Sequence, residues 1–356
     1  MGTVNIKKLR KAIDELDEKI VSTLNKRTKL AIKIGEIKDR FKKSVYSPER
    51  EQHIYNKLKK LNNGPLNNKT LSAVYREIMS GTIMLQRPIK VAYLGPEATF
   101  THLASQKKFG AQVEYISMQS ITDVFNEVER GSSDFGVVPV ENSIEGAISH
   151  TLDMFVDSDL KICSEISLAI EHNLLAKCKI SDIKKVYSKS QVFGQCRLWL
   201  ECNLPGRPLM ETTSTTKAAE IAAKEKNSAA IASSLAAQIY KVKIKAKSIE
   251  DFPHNVTRFL VIGKKEAGYT GRDKTSVLFS IKDRMGALHD MLTTFKNAKI
   301  NLTKIESRPS KKKAWDYYFF VDMQGHIKEP RLRKALTNLE KKCHFLKIVG
   351  SYPQSA

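Results

Sequence analysis

From Ile6 to Phe41 the apolar residues recur at steps of three and four: Ile6, Leu9, Ile13, Leu16, Ile20, Leu24, then Leu30, Ile34, Ile37 and Phe41. That period predicts one long amphipathic helix with a seam of the coiled-coil kind. No proline interrupts it, and Gly35 is its one glycine. Ser47-Pro48-Glu49 opens a second helix with a cap, a proline at the first helical position and an acid in the first turn. "NNKTLSAVYREIMSGTIMLQ" reads as a third helix, entered through the Gly64-Pro65 turn. From residue 89 the pattern changes. "KVAYLGPEATFTHLAS", "DFGVVPVENSIEGAISHTLDMF", "KKVYSKSQVFGQCRLWL" and "AAIASSLAAQIY" each give a short apolar strand, a polar turn and a helix, which marks α/β units. After residue 272 it changes again. "TSVLFSIKD", "GALHDMLTTFKNAK", "NLTKIESRP", "AWDYYFFVDM", "RLRKALTNLEKKC" and "HFLKIVGSY" alternate as βαββαβ, a ferredoxin-like order.

Charge supports the same division. The 356-residue chain carries a net charge of +22. Residues 1–88 hold 20 Lys and Arg against 9 Asp and Glu, residues 89–271 hold 22 against 21, and residues 272–356 hold 18 against 8. Two basic segments flank a neutral one, so three domains are expected at 1–88, 89–271 and 272–356. Such a balance raises nucleic-acid binding. Against it stand the lack of C2H2 spacing, of an RNP-like aromatic run and of a basic low-complexity tail. A solvated basic surface, including a Lys311-Lys312-Lys313 hairpin, accounts for most of the lysines. No apolar run is long enough to span a bilayer. The opening segment has no apolar core of a signal peptide and is too acidic for a usual transit peptide. Cys163, Cys178, Cys196, Cys202 and Cys343 form no CxxC, which suits reduced thiols in a cytoplasm and no zinc site.

The helical seam contains an anomaly. Between Leu24 and Leu30 the stripe needs a residue at 27, and that residue is Arg27. A guanidinium in an apolar seam snorkels out, pairs with a core acid, or holds an anion. Lys38 lies three turns along on nearly the same face, Arg50 and Glu51 open the next helix, and Gln86 ends the third. Several cations converging in a helical bundle suggest a pocket for a small dianion. Arg10 is also on the seam side but stands about 26 Å from Arg27 along a straight helix. If Arg10 contributes, it reaches a partner chain's site, which predicts an intertwined dimer and buries the stripe.

In the middle segment the polar turns are "GPEATF", "ENS", "SKSQVFGQ", "STT" and "VTRF". Each alone reads as a helix cap. Together they suggest a cleft lined with hydroxyls and amides at the carboxyl ends of strands. His102, His150 and His254 read as polar surface histidines. In "NVTRFLVIG", Phe259 to Gly263 is a short buried strand with Arg258 at its mouth and Thr257 beside it. Either the pair caps the strand and faces water, or both groups point into a cleft that holds an anion.

The three segments resemble known families. "LRKAIDELDEKIVSTLNKR", "IGEIK", "SPERE" and the closing "LQ" resemble the all-helical chorismate mutases. That resemblance implies that Arg27, with Arg10 from the other subunit, holds the two carboxylates of chorismate. It implies Lys38 and Gln86 at the ether oxygen, Glu51 on the ring hydroxyl beside Arg50 at the start of the second helix, and Thr82 as a small polar neighbour. "YLGPEATFTH", "VPVENSIEG", "QCRLWL", "AAIAS" and "NVTRFLVIG" resemble prephenate dehydratase, an α/β fold of two lobes similar to periplasmic solute-binding proteins. By that resemblance Thr257 bonds the leaving hydroxyl of prephenate and Arg258 a carboxylate. Asn142, Ser188, Gln195, Ser214 and Thr215 complete the pocket, with Glu141 orienting. Ala98 stands where the family usually has glycine. The last segment resembles an ACT domain of the phenylalanine-binding kind. The effector is expected between two such domains, at Gly286, Ala287, Leu288 and His289 and at Glu306, Ser307, Arg308 and Pro309. The implied whole is a bifunctional enzyme, dimeric or tetrameric, that turns chorismate into phenylpyruvate with no cofactor, metal, membrane or nucleic acid.

Overall fold

The computed structural model describes residues 6–41, 46–281, 284–309 and 317–355. The expected Lys311-Lys312-Lys313 hairpin and the start of the strand at 314 lie outside the described residues. Two compact units divide the chain. Met1–Ser47, Ile54–Ile89 and Phe109–Glu114 make one, and Pro48–His53, Lys90–Lys108 and Tyr115–Ala356 the other.

The first unit is helical. α1 spans Ile6–Arg40, α2 Pro48–Leu61 and α3 Asn68–Gln86. The Asn67 side chain caps α3 by accepting from the Thr70 N–H at 2.8 Å. α1 packs along α3 through its one buried residue, Gly35. A Cβ at Gly35 would stand 2.8 Å from Gln86 Cγ, so the missing side chain is what admits the end of α3. The rest of the stripe is bare. Ile6, Leu9, Ile13, Leu16, Ile20, Leu30, Ile34, Ile37 and Phe41 are each at least 54% exposed. An apolar face of that length is far larger than a soluble monomer ordinarily leaves in water.

The second unit holds three sheets. In chain order come β1 (Lys90–Leu94), α4 (Phe100–Phe109), β2 (Glu114–Met118), α5 (Ile121–Arg130), β3 (Phe135–Asn142), β4 (Gly146–Ala147), α6 (Ser149–Asp157) and β5 (Lys161–Ala169). α5 begins on a reciprocal Ser120–Asp123 capping box and ends on Gly131 in the left-handed conformation. A second lobe follows: β6 (Asn173–Ala176), β7 (Lys185–Ser188), α7 (Ser190–Gln195), α8 (Arg197–Asn203), β8 (Leu209–Glu211), α9 (Thr215–Lys224), β9 (Ser228–Ala232), α10 (Ser234–Ile239) and β10 (Ile244–Ala246). The chain then returns as β11 (Val256–Gly263), which inserts between β3 and β5 of the first sheet. The sheets run β2-β1-β3-β11-β5, with β4 on β3, and β10-β6-β9-β7-β8. The backbone therefore crosses between the lobes twice, at 170–172 and at 247–255.

The third sheet is built from β12 (Asp273–Ile281), α11 (Ala287–Asn297), β13 (Leu302–Pro309), β14 (Tyr317–Gln324), α12 (Pro330–Glu340) and β15 (Cys343–Pro353). Its order, β13-β14-β12-β15, is ferredoxin-like, as the pattern of elements predicts. One face packs on α11 and α12 around Phe279, Phe295, Val321 and Leu336. The other face does not end at water. Leu278, Phe320, Val349 and Tyr352 share one apolar cluster with Ala92, Phe155, Ile162 and Leu260 of the first lobe.

Among the described residues no helix is long and apolar enough to cross a membrane. The five cysteines are unpaired; Cys163 and Cys196 are buried and Cys202 is exposed. Burial pushes the Cys163 and Cys196 thiols up to about 12. Only the thiolate attacks an alkylating reagent. At about pH 8, iodoacetamide is expected to label Cys202 well before Cys163 or Cys196. Equal labelling rates read by mass spectrometry would contradict the burial of Cys163 in β5 and of Cys196 just before α8.

Candidate active sites

In the helical unit Arg27 is half-buried, and its guanidinium donates to Thr82 Oγ1 at 3.3 Å. Thr82 is buried and passes its own proton to the Ile78 carbonyl at 2.6 Å. Arg27 thus neither snorkels fully nor meets a core acid in this pair. Lys38 is half-buried, and Gln86 lies against Gly35 one turn before it. The structure brings Arg27, Thr82 and Gln86 to the shared face of α1 and α3, with half-buried Lys38 one turn beyond Gly35. Arg10 is exposed and far along α1, as its distance in sequence requires. Arg50 is exposed. Glu51 departs from expectation. The first turn of α2 groups with the second unit, where buried Glu51 accepts from Lys108 Nζ at 2.7 Å. One of its carboxylate oxygens is thus paired with a lysine of the second unit rather than left toward a ring hydroxyl.

Between the two lobes of the second unit lies a cleft of about 390 Å³. Asn142, at the end of β3, and Thr257, near the start of β11, are register partners on adjacent strands and line its first-lobe wall side by side. Asn142 Nδ2 donates to Thr257 Oγ1 at 2.8 Å and to Asn255 Oδ1 at 2.7 Å. Asn142 Oδ1 accepts the Ile144 and Glu145 N–H groups at 2.9 and 3.0 Å, which fixes the amide's orientation. Because Thr257 Oγ1 accepts from Asn142, its own proton remains to donate. Among the described residues no protein acceptor takes it.

From the second lobe, Gln195, Ser214 and Thr215 line the cleft, together with Lys189 and Thr213. Ser214 also caps α9 by accepting from the Lys217 N–H at 2.9 Å. The N-termini of α9 and α4 both open on the cleft, where Thr215 and Thr101 line it. Free N–H groups there favour anions. Gln195 joins the two interlobe crossings. Its Oε1 accepts from His172 Nε2 at 2.7 Å and from Asn255 Nδ2 at 3.3 Å, while its Nε2 donates to Glu145 at 3.2 Å. Gln195 Oε1 can only accept, so the His172 proton sits on Nε2. Burial holds the His172 imidazole below its ordinary range. Its Nδ1 is buried without a partner among the described residues.

Three expected residues are not in the cleft. Ser188 is fully buried and donates to the Ile231 carbonyl at 2.9 Å, tying β7 to β9. Arg258 points away from Thr257, because neighbouring side chains on a strand take opposite faces. Its guanidinium donates to Glu165 at 2.7 Å, Asp322 at 2.5 Å and the Tyr352 hydroxyl at 2.9 Å. Burial acts to discharge it, yet Asp322 and Glu165 hold it charged, above its ordinary value. The Glu165 carboxyl is pushed up by burial but held below its usual range by Arg258 and Lys274. Glu141, opposite Arg258, pairs with Lys304 Nζ at 2.9 Å. The charge at the strand mouth is therefore tolerated for a different reason from the one expected: protein carboxylates, not a ligand's, pair Arg258. Among the described residues lining the cleft, Lys189 is the only Lys or Arg.

The sequence reading missed His172, Asn255, Glu145 and Lys189. Lys189 lies inside the "SKSQVFGQ" turn, and Asn255 and Glu145 lie in the longer "NVTRFLVIG" and "VPVENSIEG" motifs, close to residues that were singled out. His172 carried no local signal, since it falls on a crossing between strands. His102 was expected at the surface. It is buried, stacks on Tyr93, and accepts the Ala98 N–H at 3.2 Å. Ala98 itself has φ 68°, the left-handed region that suits the glycine usual there.

In the third sheet, the start of α11 is open. Gly286 has φ 75°, and Leu288 and His289 are exposed. Strand β13 is at the sheet edge, with side chains alternating between half-buried and exposed. Glu306 and Arg308 lie on the half-buried side, Ser307 and Pro309 on the other. Arg308 is committed within the chain, donating to Asp153 at 3.3 and 3.5 Å.

Comparison with known proteins gives these sites a context. Family models match in order: chorismate mutase type II at residues 9–87, prephenate dehydratase at 91–267 and the ACT domain at 275–341. A bifunctional chorismate mutase/prephenate dehydratase of Aquifex aeolicus is 50% identical over 355 residues, 98% of each chain. One from Pseudomonas aeruginosa is 43% identical, again over 98% of each chain. A crystal structure of prephenate dehydratase from Arthrobacter aurescens, in complex with L-Phe, is 32% identical with a TM-score of 0.69. It covers 75% of this chain and 90% of that one. With matched domains in the same order along nearly its full length, this chain belongs to the bifunctional chorismate mutase/prephenate dehydratase family.

Proposed function

We propose a division of labour within this bifunctional enzyme. Residues 1–88 rearrange chorismate to prephenate, residues 89–271 convert prephenate to phenylpyruvate, and residues 272–356 answer to phenylalanine. The observation that carries the reading is the hydrogen bond from Asn142 to Thr257 in the interlobe cleft. It leaves the threonine proton aimed at a ligand.

The dehydratase chemistry asks for few groups. The ring carboxylate leaves as CO₂, its electron pair enters the ring, and the C–O bond at the far carbon breaks. Aromatisation supplies the drive. The departing hydroxide takes a proton and leaves as water. Thr257, a weak acid, acts as a hydrogen-bond donor to that oxygen and as a relay. Asn142 orients Thr257. Lys189 and the α9 N-terminus at Ser214 and Thr215 hold the carboxylates. Gln195 keeps neutral His172 and Asn255 in place at the two crossings.

The mutase chemistry is pericyclic and needs no nucleophile. It needs a folded substrate and fixed donors aimed at developing charge. Arg27 holds one carboxylate, and Arg10 of a partner copy the other. Lys38 and Gln86 face the ether oxygen. The bare stripe of α1 is covered by that second copy, so the enzyme is a dimer or a larger assembly. Phenylalanine binds where the exposed start of α11 and the edge strand β13 of two copies meet. The L-Phe complex of the Arthrobacter aurescens relative supports an effector of this kind. Five unpaired thiols are in keeping with a cytoplasmic enzyme.

Two variants of the full chain separate the activities. Arg27→Ala is expected to lower chorismate rearrangement by about 10²-fold or more and spare dehydration. Thr257→Ala is expected to lower dehydration by about 10²-fold and spare the mutase. Loss of both activities in either variant, or an unchanged dehydratase rate in Thr257→Ala, would contradict the assignment.

A further inference from the structure

Thr257 and Asn142 face the cleft, and the next residue on one strand and the previous one on the other face away from it. Arg258 and Glu141 stand opposite each other across β11 and β3. Both reach the ACT sheet. Arg258 meets Asp322 on β14 at 2.5 Å and Tyr352 on β15 at 2.9 Å. Glu141 meets Lys304 on β13 at 2.9 Å. Lys304 and Ser276 flank Asp322 in register within the ACT sheet, and Ser276 donates to the second oxygen of Asp322. Lys274 on β12 shares Glu165 with Arg258. Three cations thus meet three carboxylates between two sheets. Arg258 is 13% exposed, Lys304 7%, Glu165 3% and Asp322 0%. The charges of Arg258, Glu165 and Asp322 are dry enough to be matched only by precise placement, and a shift of one sheet on the other breaks pairs there that water cannot replace, while Glu141, 36% exposed, keeps one side toward solvent. The sheets are also in close contact. A side chain at Gly350 on β15 would run into the Ile162 backbone on β5.

We propose that Arg258 and Glu141 are positioning residues for dehydration: gripped by Asp322 and Lys304 of the ACT sheet, they set the placement of Thr257 and Asn142 one residue away. The proposal rests on the reading that Thr257 and Asn142 meet the substrate. It makes the regulatory sheet a structural part of the catalytic one. Anything that moves the ACT sheet moves two strand ends at the cleft, and a displacement near 1 Å there is enough to cost about 10²-fold in rate. A purely adhesive role for the same ion pairs has a different signature, because it changes stability without a selective effect on turnover.

The test uses the full-length chain with Lys304→Glu and Glu141→Lys, singly and together, beside Asp322→Asn and Thr257→Ala. Prephenate kcat and KM, the mutase rate and the melting temperature are read on each preparation. Each single charge reversal is expected to lower dehydratase kcat about tenfold or more, with KM changed less than about twofold and the mutase rate kept. The double reversal is expected to recover only part of the lost kcat, because Glu141 also lies 3.8 Å from Arg258 and Lys304 lies 3.7 Å from Glu306. Asp322→Asn is expected to follow the single reversals. Unchanged dehydratase kcat in the single reversals and in Asp322→Asn overturns the proposal. So does a loss that tracks melting temperature and is not recovered in the double reversal. A dehydratase rate kept in Thr257→Ala overturns the cleft reading and the proposal with it. Loss in Thr257→Ala beside normal rates in the other variants counts against the coupling alone.

Discussion

The two-residue period of β11 is the constraint on which the rest of the dehydratase depends. Thr257 and Arg258 are adjacent, so they cannot share a face. One enters the cleft and takes the Asn142 hydrogen bond; the other enters a dry cluster of charges with Glu165 and Asp322. β3 repeats the arrangement with Asn142 and Glu141. Two adjacent strands thus present amides and hydroxyls to the cleft on one side and paired charges to the ACT sheet on the other. The ACT sheet is held on that second side by the same apolar cluster that fills the first lobe. This explains why the dehydratase and ACT segments form one compact unit.

The helical unit meets a different constraint. A long stripe needs a cover, and the described chain covers little of it. Gly35 admits the end of α3, and one turn earlier on α3 Thr82 bonds Arg27, so polar groups gather where α1 and α3 meet. The remaining apolar face and the distant Arg10 are what a second copy would complete. The two candidate sites also differ in their chemistry. The helical face offers guanidinium and ammonium groups, and the cleft offers mostly hydroxyls, amides and helix termini with one lysine.

Much of this was legible in the sequence, for identifiable reasons. The helices of residues 6–86 follow from a period that only a helix satisfies, and the Pro48 and Asn67 starts from cap chemistry. The βαββαβ order could be read because each strand is bounded by a turn and each helix is amphipathic. Asn142, Ser214 and Thr215 could be found because they end a strand or begin a helix, where a sheet exposes polar groups, and Gln195 and Thr257 because they sit at the end of α7 and the start of β11 within polar motifs. Arg258 and Glu141 were misdirected by treating a turn as a unit rather than as alternating positions. Ser188 was misdirected likewise, its hydroxyl taken by a neighbouring strand. His172 was illegible because its place depends on where the chain crosses between lobes, which no local pattern fixes. Glu51 was obscured because its partner, Lys108, lies 57 residues away on another element.

The most direct measurement is the kinetic signature of Arg258→Met on prephenate, with the melting temperature of the same sample as a control for folding of the unit that holds it. The account has Arg258 on the far side of its strand, so kcat should fall while KM stays within about twofold. A KM raised by about 10²-fold with kcat intact would mean that the guanidinium holds the substrate, and would contradict it.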